Sequence, residues 1–82
     1  MKTIEVTLRG DHITLDALLK TTGLAASGGA AKALIADGRV LVDGVTELRK
    51  TRKLRAGQAA QCGDVRVLVQ AEESLEAQTP SG

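Results

Sequence analysis

Not one of the 82 residues is Phe, Tyr or Trp, and that absence decides what kind of interior the chain can build. A core has to be assembled from eleven Leu, seven Val, three Ile and part of the twelve Ala. So short a chain buries only about 60% of its unfolded surface, so the sequence predicts a single domain with one thin aliphatic core. The same absence narrows function. Readers of single-stranded nucleic acid ordinarily stack bases on aromatic faces for about 1–3 kcal/mol per base, and here only the arginines and His12 offer a flat surface.

The formal charge is only +1, but its distribution is uneven. Residues 1–38 balance, residues 39–55 carry Arg39, Arg49, Lys50, Arg52, Lys53 and Arg55 against Asp43 and Glu47, and residues 56–82 are net acidic. A basic middle beside an acidic end is the pattern of a polyanion site with a separate solvated segment. Cys62 is the only cysteine, which excludes an internal disulfide and points to a reducing compartment. The opening residues lack a signal-like apolar run and no stretch approaches the ~20 apolar residues of a membrane span. A cytoplasmic monomer without membrane contact is expected.

Ile4, Val6 and Leu8 alternate with polar residues, the two-residue period of a half-buried strand, until Gly10-Asp11 breaks it. From Thr14 the period becomes helical. Leu15, Leu18 and Leu19 share a face, Thr14 is placed to cap the start, and Gly23 follows the end, which predicts helix one over Leu15 to Thr22. After a three-residue connector, Ser27 is a natural N-cap for a second helix rich in Ala and ending at Gly38. So short a link forces the helices to pack at an angle. Arg39 to Val42 then reads as a strand, Asp43-Gly44 as a two-residue hairpin turn and nothing more, and Val45 to Leu48 as its return. Residues 49–53 are too charged for a core. A last hairpin turns near Cys62-Gly63-Asp64 into Val65, Val67 and Val69. The domain is expected over residues 1–70, with 71–82 an acidic, disordered tail.

Leu15-Asp16-Ala17-Leu18-Leu19, Gly23-Leu24-Ala25-Ala26-Ser27, Ala31-Lys32, Leu34-Ile35, Asp37-Gly38-Arg39-Val40 and Val42-Asp43-Gly44 together resemble the S-four-type domain of ribosomal protein S-four, also called the alpha-L RNA-binding motif. Glu47-Leu48-Arg49-Lys50, Lys53-Leu54-Arg55-Ala56-Gly57 and the Ser-Gly-Gly after helix one resemble its short stand-alone bacterial branch. The resemblance implies an α/β (α+β) fold: two packed helices followed by a small antiparallel sheet, with a short N-terminal strand. It also implies a grip on structured RNA, ribosomal or transfer RNA or ribosomal particles, with no small-molecule substrate. Members commonly carry an arginine before Leu-Asp and another after the Ser, where this chain has Thr14 and Gly28. That shifts the expected contacts toward Lys32, Arg39 and residues 49–55.

The candidate RNA-binding residues are accordingly Ser27, Gly28, Gly29, Lys32, Arg39, Arg49, Lys50, Arg52, Lys53 and Arg55. Each Lys or Arg that neutralises a phosphate releases counterions. At Ser27-Gly28-Gly29 the unpaired N–H groups of a helix start attract an anion, although the glycines could equally serve close helix packing. A charge run is often only a solvated loop, so the rival is a small adaptor whose basic face meets an acidic protein. Duplex DNA binding is disfavoured because neither helix presents a row of base-reading side chains. His12 has no partners in sequence for a metal site or triad, and Cys62 reads as a small apolar residue near the last hairpin. No P-loop, dinucleotide fingerprint or nucleophile motif appears, so neither enzymatic activity nor a cofactor is expected.

Overall fold

Alternation of apolar and polar residues produces the first strand, β1 (Lys2–Thr7), but the partner it finds is the last one. The computed structural model describes residues 2–71; the rest of the expected acidic tail lies outside them. In chain order the remaining elements are β2 (Ile13–Thr14), α1 (Leu15–Thr21), α2 (Gly28–Ala36), β3 (Val40–Val42), β4 (Val45–Thr46), β5 (Lys53–Leu54), β6 (Ala59–Cys62) and β7 (Val65–Gln70).

Five strands form one sheet in the order β1-β7-β6-β3-β4. Its β3–β4, β3–β6 and β6–β7 pairs are antiparallel, whereas β1 runs parallel to β7 with Ile4 opposite Val67 and Val6 opposite Val69. The helix pair followed by strands is as expected for an α+β fold, but the sheet is mixed rather than purely antiparallel. A parallel neighbour needs a long crossover, and here the whole intervening domain supplies it. A slip of one residue in this register would turn Ile4 and Val6 to the opposite face. The ladder continues past the strand as Leu8 N donates to the Gln70 carbonyl at 2.7 Å, and Leu8 itself is buried.

Helices and sheet share one core. Leu15, Leu18 and Leu19 of α1, Ala31 and Ile35 of α2, Val40 and Val42 of β3, Leu54, Ala60, Val67 and Val69 are all buried, joined by Leu8 and Ala25. No polar or charged residue among those described is buried. The small, buried Ala31 of α2 and Ala25 of the connector leave room for the two helices to pack closely.

The two helices start differently. At α2 the Ser27 hydroxyl accepts from Ala30 N at 3.1 Å, the expected cap. At α1 Thr14 has the extended cap backbone but its side chain accepts nothing from the helix, which corrects the expected cap. The first helical N–H groups instead go elsewhere: Leu15 N donates to the Arg52 carbonyl at 2.8 Å, Asp16 N to the Lys50 carbonyl at 3.1 Å, and Ala17 N to Asp16 Oδ1 at 2.8 Å. A distant segment thus satisfies donors that a helix leaves orphaned.

Asp43 and Gly44 both adopt positive φ, 52° and 85°, as a two-residue hairpin turn requires. Asp43 does more than turn the chain. Its carboxylate accepts from Gln58 Nε2 at 2.9 Å and from Ala59 N at 3.0 Å, tying the hairpin to β6, and these donors hold its carboxyl below the ordinary range, Gln58 first. The return strand is shorter than expected: β4 ends at Thr46, and both Val45 within it and Leu48 beyond it are exposed.

Candidate nucleic-acid interface

The basic segment is a fixed loop, not a free one. β5 pairs antiparallel with β2, Ile13 opposite Leu54 and Thr14 opposite Lys53. With the Leu15–Arg52 and Asp16–Lys50 bonds, this pairing fastens the loop to the start of α1 through backbone atoms. Leu54 is fully buried between exposed Lys53 and exposed Arg55, so the strand anchors inward while its neighbours face solvent. Side chains held this way remain available to a partner. Arg49, Thr51, Arg52 and Lys53 line an open concavity on this loop.

Its charges are not equivalent. Arg49 Nε lies 3.1 Å from Glu47 Oε2, and Arg52 Nη1 lies 3.1 Å from Glu47 Oε1. The Arg49 N–H also donates to Glu47 Oε2 at 3.0 Å. Arg49's donors, side chain first and then backbone, depress the Glu47 carboxyl, and the charge of Arg52 adds to this. Arg55 stands 3.7 Å from Asp11, and Arg39 stands 3.5 Å from Asp37 with both side chains mostly exposed. The exposed Arg55–Asp11 and Arg39–Asp37 pairs contribute about 0–1 kcal/mol and yield readily to a phosphate. Among the described residues Lys32, Lys50 and Lys53 form no ion pair. Lys50 nonetheless lies near Asp16, whose carboxyl is lowered chiefly by the Thr14 hydroxyl, then by Ala17 N–H and the Lys50 charge.

Ser27, Gly28 and Gly29 form a second exposed region at the start of α2, and Lys32 lies one turn on. A Cβ at Gly28 would meet nothing within 4 Å, and one at Gly29 only the Ser27 hydroxyl at 3.9 Å. Packing therefore does not demand these glycines, and the packing explanation for them falls. Among the described residues no hydrogen bond or ion pair joins this region to the 49–55 loop, so the predicted residues fall into a loop cluster, a helix start, and Arg39 between helix and sheet.

Sequence reasoning missed Glu47, Asp11, and the β2–β5 pairing. Glu47 entered only as one negative charge; its reach to Arg49 and Arg52 lies between β4 and β5, outside any strand or helix whose period would have predicted it. His12 is half-buried, with Nδ1 3.5 Å from Asp11. Cys62 packs at the margin of the core in β6, as read from sequence. Among the described residues no cluster of His, Cys, Asp and Glu is arranged to hold a metal, and no helix is long and apolar enough to cross a membrane.

The chain is 51% identical over 47 residues to YbcJ of Escherichia coli (strain K12) and to YbcJ of Shigella flexneri, covering 57% of this chain and 67% of each relative. The solution structure of Escherichia coli YbcJ superposes with a TM-score of 0.63 at 41% identity, covering 87% of this chain and 89% of that one. That structure is described as revealing an alpha-L motif involved in RNA binding. The family model of the S4 domain, the S-four type, matches residues 6–70, from β1 to the end of β7. With its paired helices, Asp-Gly hairpin and anchored basic loop, the chain belongs to the S4 domain family.

Proposed function

We propose that the protein is an RNA-binding module that grips structured RNA, ribosomal or transfer RNA, through phosphates and helical shape rather than base identity. The observation that carries the reading is the basic loop itself. Five cations between Arg49 and Arg55 stand on a backbone bonded to α1, so little ordering of that backbone remains to oppose binding. Similarity to YbcJ, described as having an RNA-binding motif, supports it. The scarcity of flat side chains favours phosphate contact over base stacking. The protein acts on RNA in the cytoplasm, in association with ribosomal particles, and contributes binding rather than catalysis.

One observation favours a protein partner instead: Val45 and Leu48 are 69% and 63% exposed beside the basic loop in sequence. Affinity purification from cells, with and without nuclease, separates the readings. Nuclease-sensitive recovery of ribosomal particles and crosslinks to RNA are expected. Nuclease-resistant recovery of one protein, with no crosslinked RNA, would overturn the proposal.

The start of α2 is a second proposed phosphate contact, since Gly28 and Gly29 leave the backbone open beside Lys32. Gly29→Glu places an anion there. Loss of a helical glycine gains up to about 1 kcal/mol, and a carboxylate in the first turn a further ~0.3–1 kcal/mol. The variant is therefore expected to melt higher yet bind RNA more weakly, while Gly29→Ala melts higher and binds nearly as wild type. Equal RNA affinity for the Glu variant removes the helix start from the interface.

A further inference from the structure

Between Asp43 and Asp64 the chain has a single acidic residue, Glu47, and it lies amid the basic segment. Its side chain is only 12% exposed although its neighbours are mostly exposed. Both carboxylate oxygens are engaged: Oε2 by the backbone and Nε of Arg49, Oε1 by Nη1 of Arg52. Arg52 is in turn fixed by its own backbone, whose N–H reaches the Arg49 carbonyl at 3.3 Å and whose carbonyl receives Leu15 N. The connection runs from the start of α1 through Arg52 and Glu47 to Arg49.

We propose that Glu47 is a positioning residue for RNA binding: it holds the guanidinium groups of Arg49 and Arg52 in place for phosphates, so that removing its negative charge weakens binding. The inference rests on the RNA reading above and adds to it which arginines are prepared in advance.

Two effects of opposite sign compete. A carboxylate beside two cations lowers the local positive potential, so field strength alone predicts that neutralising Glu47 tightens RNA binding. Against this, a long side chain immobilised on binding loses rotamer freedom, and one already held by folding loses less. The geometry decides between them. A guanidinium has five N–H donors, and each arginine gives one of its side-chain donors to Glu47. Four on each remain, enough for the paired N–H contact that phosphate accepts. The Arg49 donors hold the Glu47 carboxyl below the ordinary range, so it carries its charge toward both arginines at neutral pH.

The test is Glu47→Gln, with binding to a structured ribosomal RNA fragment measured at fixed salt. The backbone bond from residue 47 to the Val40 carbonyl does not involve the side chain, so circular dichroism should show a folded protein. Affinity is expected to fall roughly tenfold, the scale of ordering two long side chains. In an Arg49→Gln, Arg52→Gln background, the same change should leave affinity unchanged or slightly higher. Equal or tighter binding by the single variant overturns the proposal, as does a weakening that persists without the arginines. Should Glu47→Gln fail to fold, Glu47→Asp, which keeps the charge but shortens its reach, is expected to weaken binding, and wild-type affinity for it would overturn the proposal instead. If the unsubstituted protein binds no RNA, the broader reading fails first, and that result needs no variant.

Discussion

Replacing Leu54 with alanine is expected to lower the thermal midpoint by more than about 10 °C. The side chain is fully buried in a core that holds no aromatic residue, so few neighbours are large enough to close over the space. Leu→Ala at buried sites costs about 2–5 kcal/mol, and in a domain of this size each kcal/mol moves the midpoint by about 4–8 °C. On the proposed RNA-binding reading, the site also bears on function. Leu54 pairs with Ile13 across β2–β5 and is the inward anchor between Lys53 and Arg55. Loosening it frees the loop from α1 and should weaken RNA binding even below the melting temperature. Leu48→Ala, at an exposed position, serves as the control and should stay within about 0.5 kcal/mol of wild type. A midpoint for Leu54→Ala within 3 °C of wild type, roughly the effect of under 1 kcal/mol, would show that the anchor is dispensable.

Replacing Arg49, Lys50, Arg52 and Lys53 together with glutamine should produce the largest loss of RNA affinity. If each makes one phosphate contact, duplex theory lowers the slope of log affinity against log salt by about 0.9 per contact, hence up to roughly 3.6. Specific and non-specific RNA should weaken alike, because phosphates carry no sequence. Charge counting alone predicts that the fold is indifferent to this change, but the structure does not. Arg52 is one-third exposed and pairs with a Glu47 that is nearly covered, so removing both arginines strands that carboxylate and should lower the midpoint modestly. The double variant Lys50→Gln, Lys53→Gln separates the two effects, since neither lysine has an ion-pair partner among the described residues. It should keep the wild-type midpoint and lose up to about 1.8 from the slope. A folded quadruple variant with unchanged affinity and slope would remove the loop from the interface.

The residues that formed as read are those whose signal is local. Leu15, Leu18 and Leu19 make a helical face wherever the helix docks, Ser27 caps α2 from three residues away, and Asp43-Gly44 turns the chain by its own backbone preference. Thr14 misled because a capping residue type is only an offer. Whether it is used depends on what else reaches the first N–H groups, and here carbonyls from residues 50 and 52 arrive first.

The position of the basic residues on the surface was legible for the same local reason: five cations within seven residues cannot enter an aliphatic core. Their inequality was not. Glu47 and Arg52 meet because the chain folds back between them, and Arg55 meets Asp11 across the β2–β5 pairing, contacts between charges that no sequence period connects.

What the sequence by itself determined is therefore the inventory: one aliphatic core, two short helices, an Asp-Gly hairpin and a solvated basic stretch, each set by the chemistry of neighbours along the chain. What only the tertiary structure decided is which distant parts meet. β1 joins β7 in parallel, the basic loop supplies the start of α1 with carbonyls, and one carboxylate organises two arginines. The physical reason is that backbone donors and acceptors are alike in every residue, so the partner each one finds is settled by packing, not by its identity.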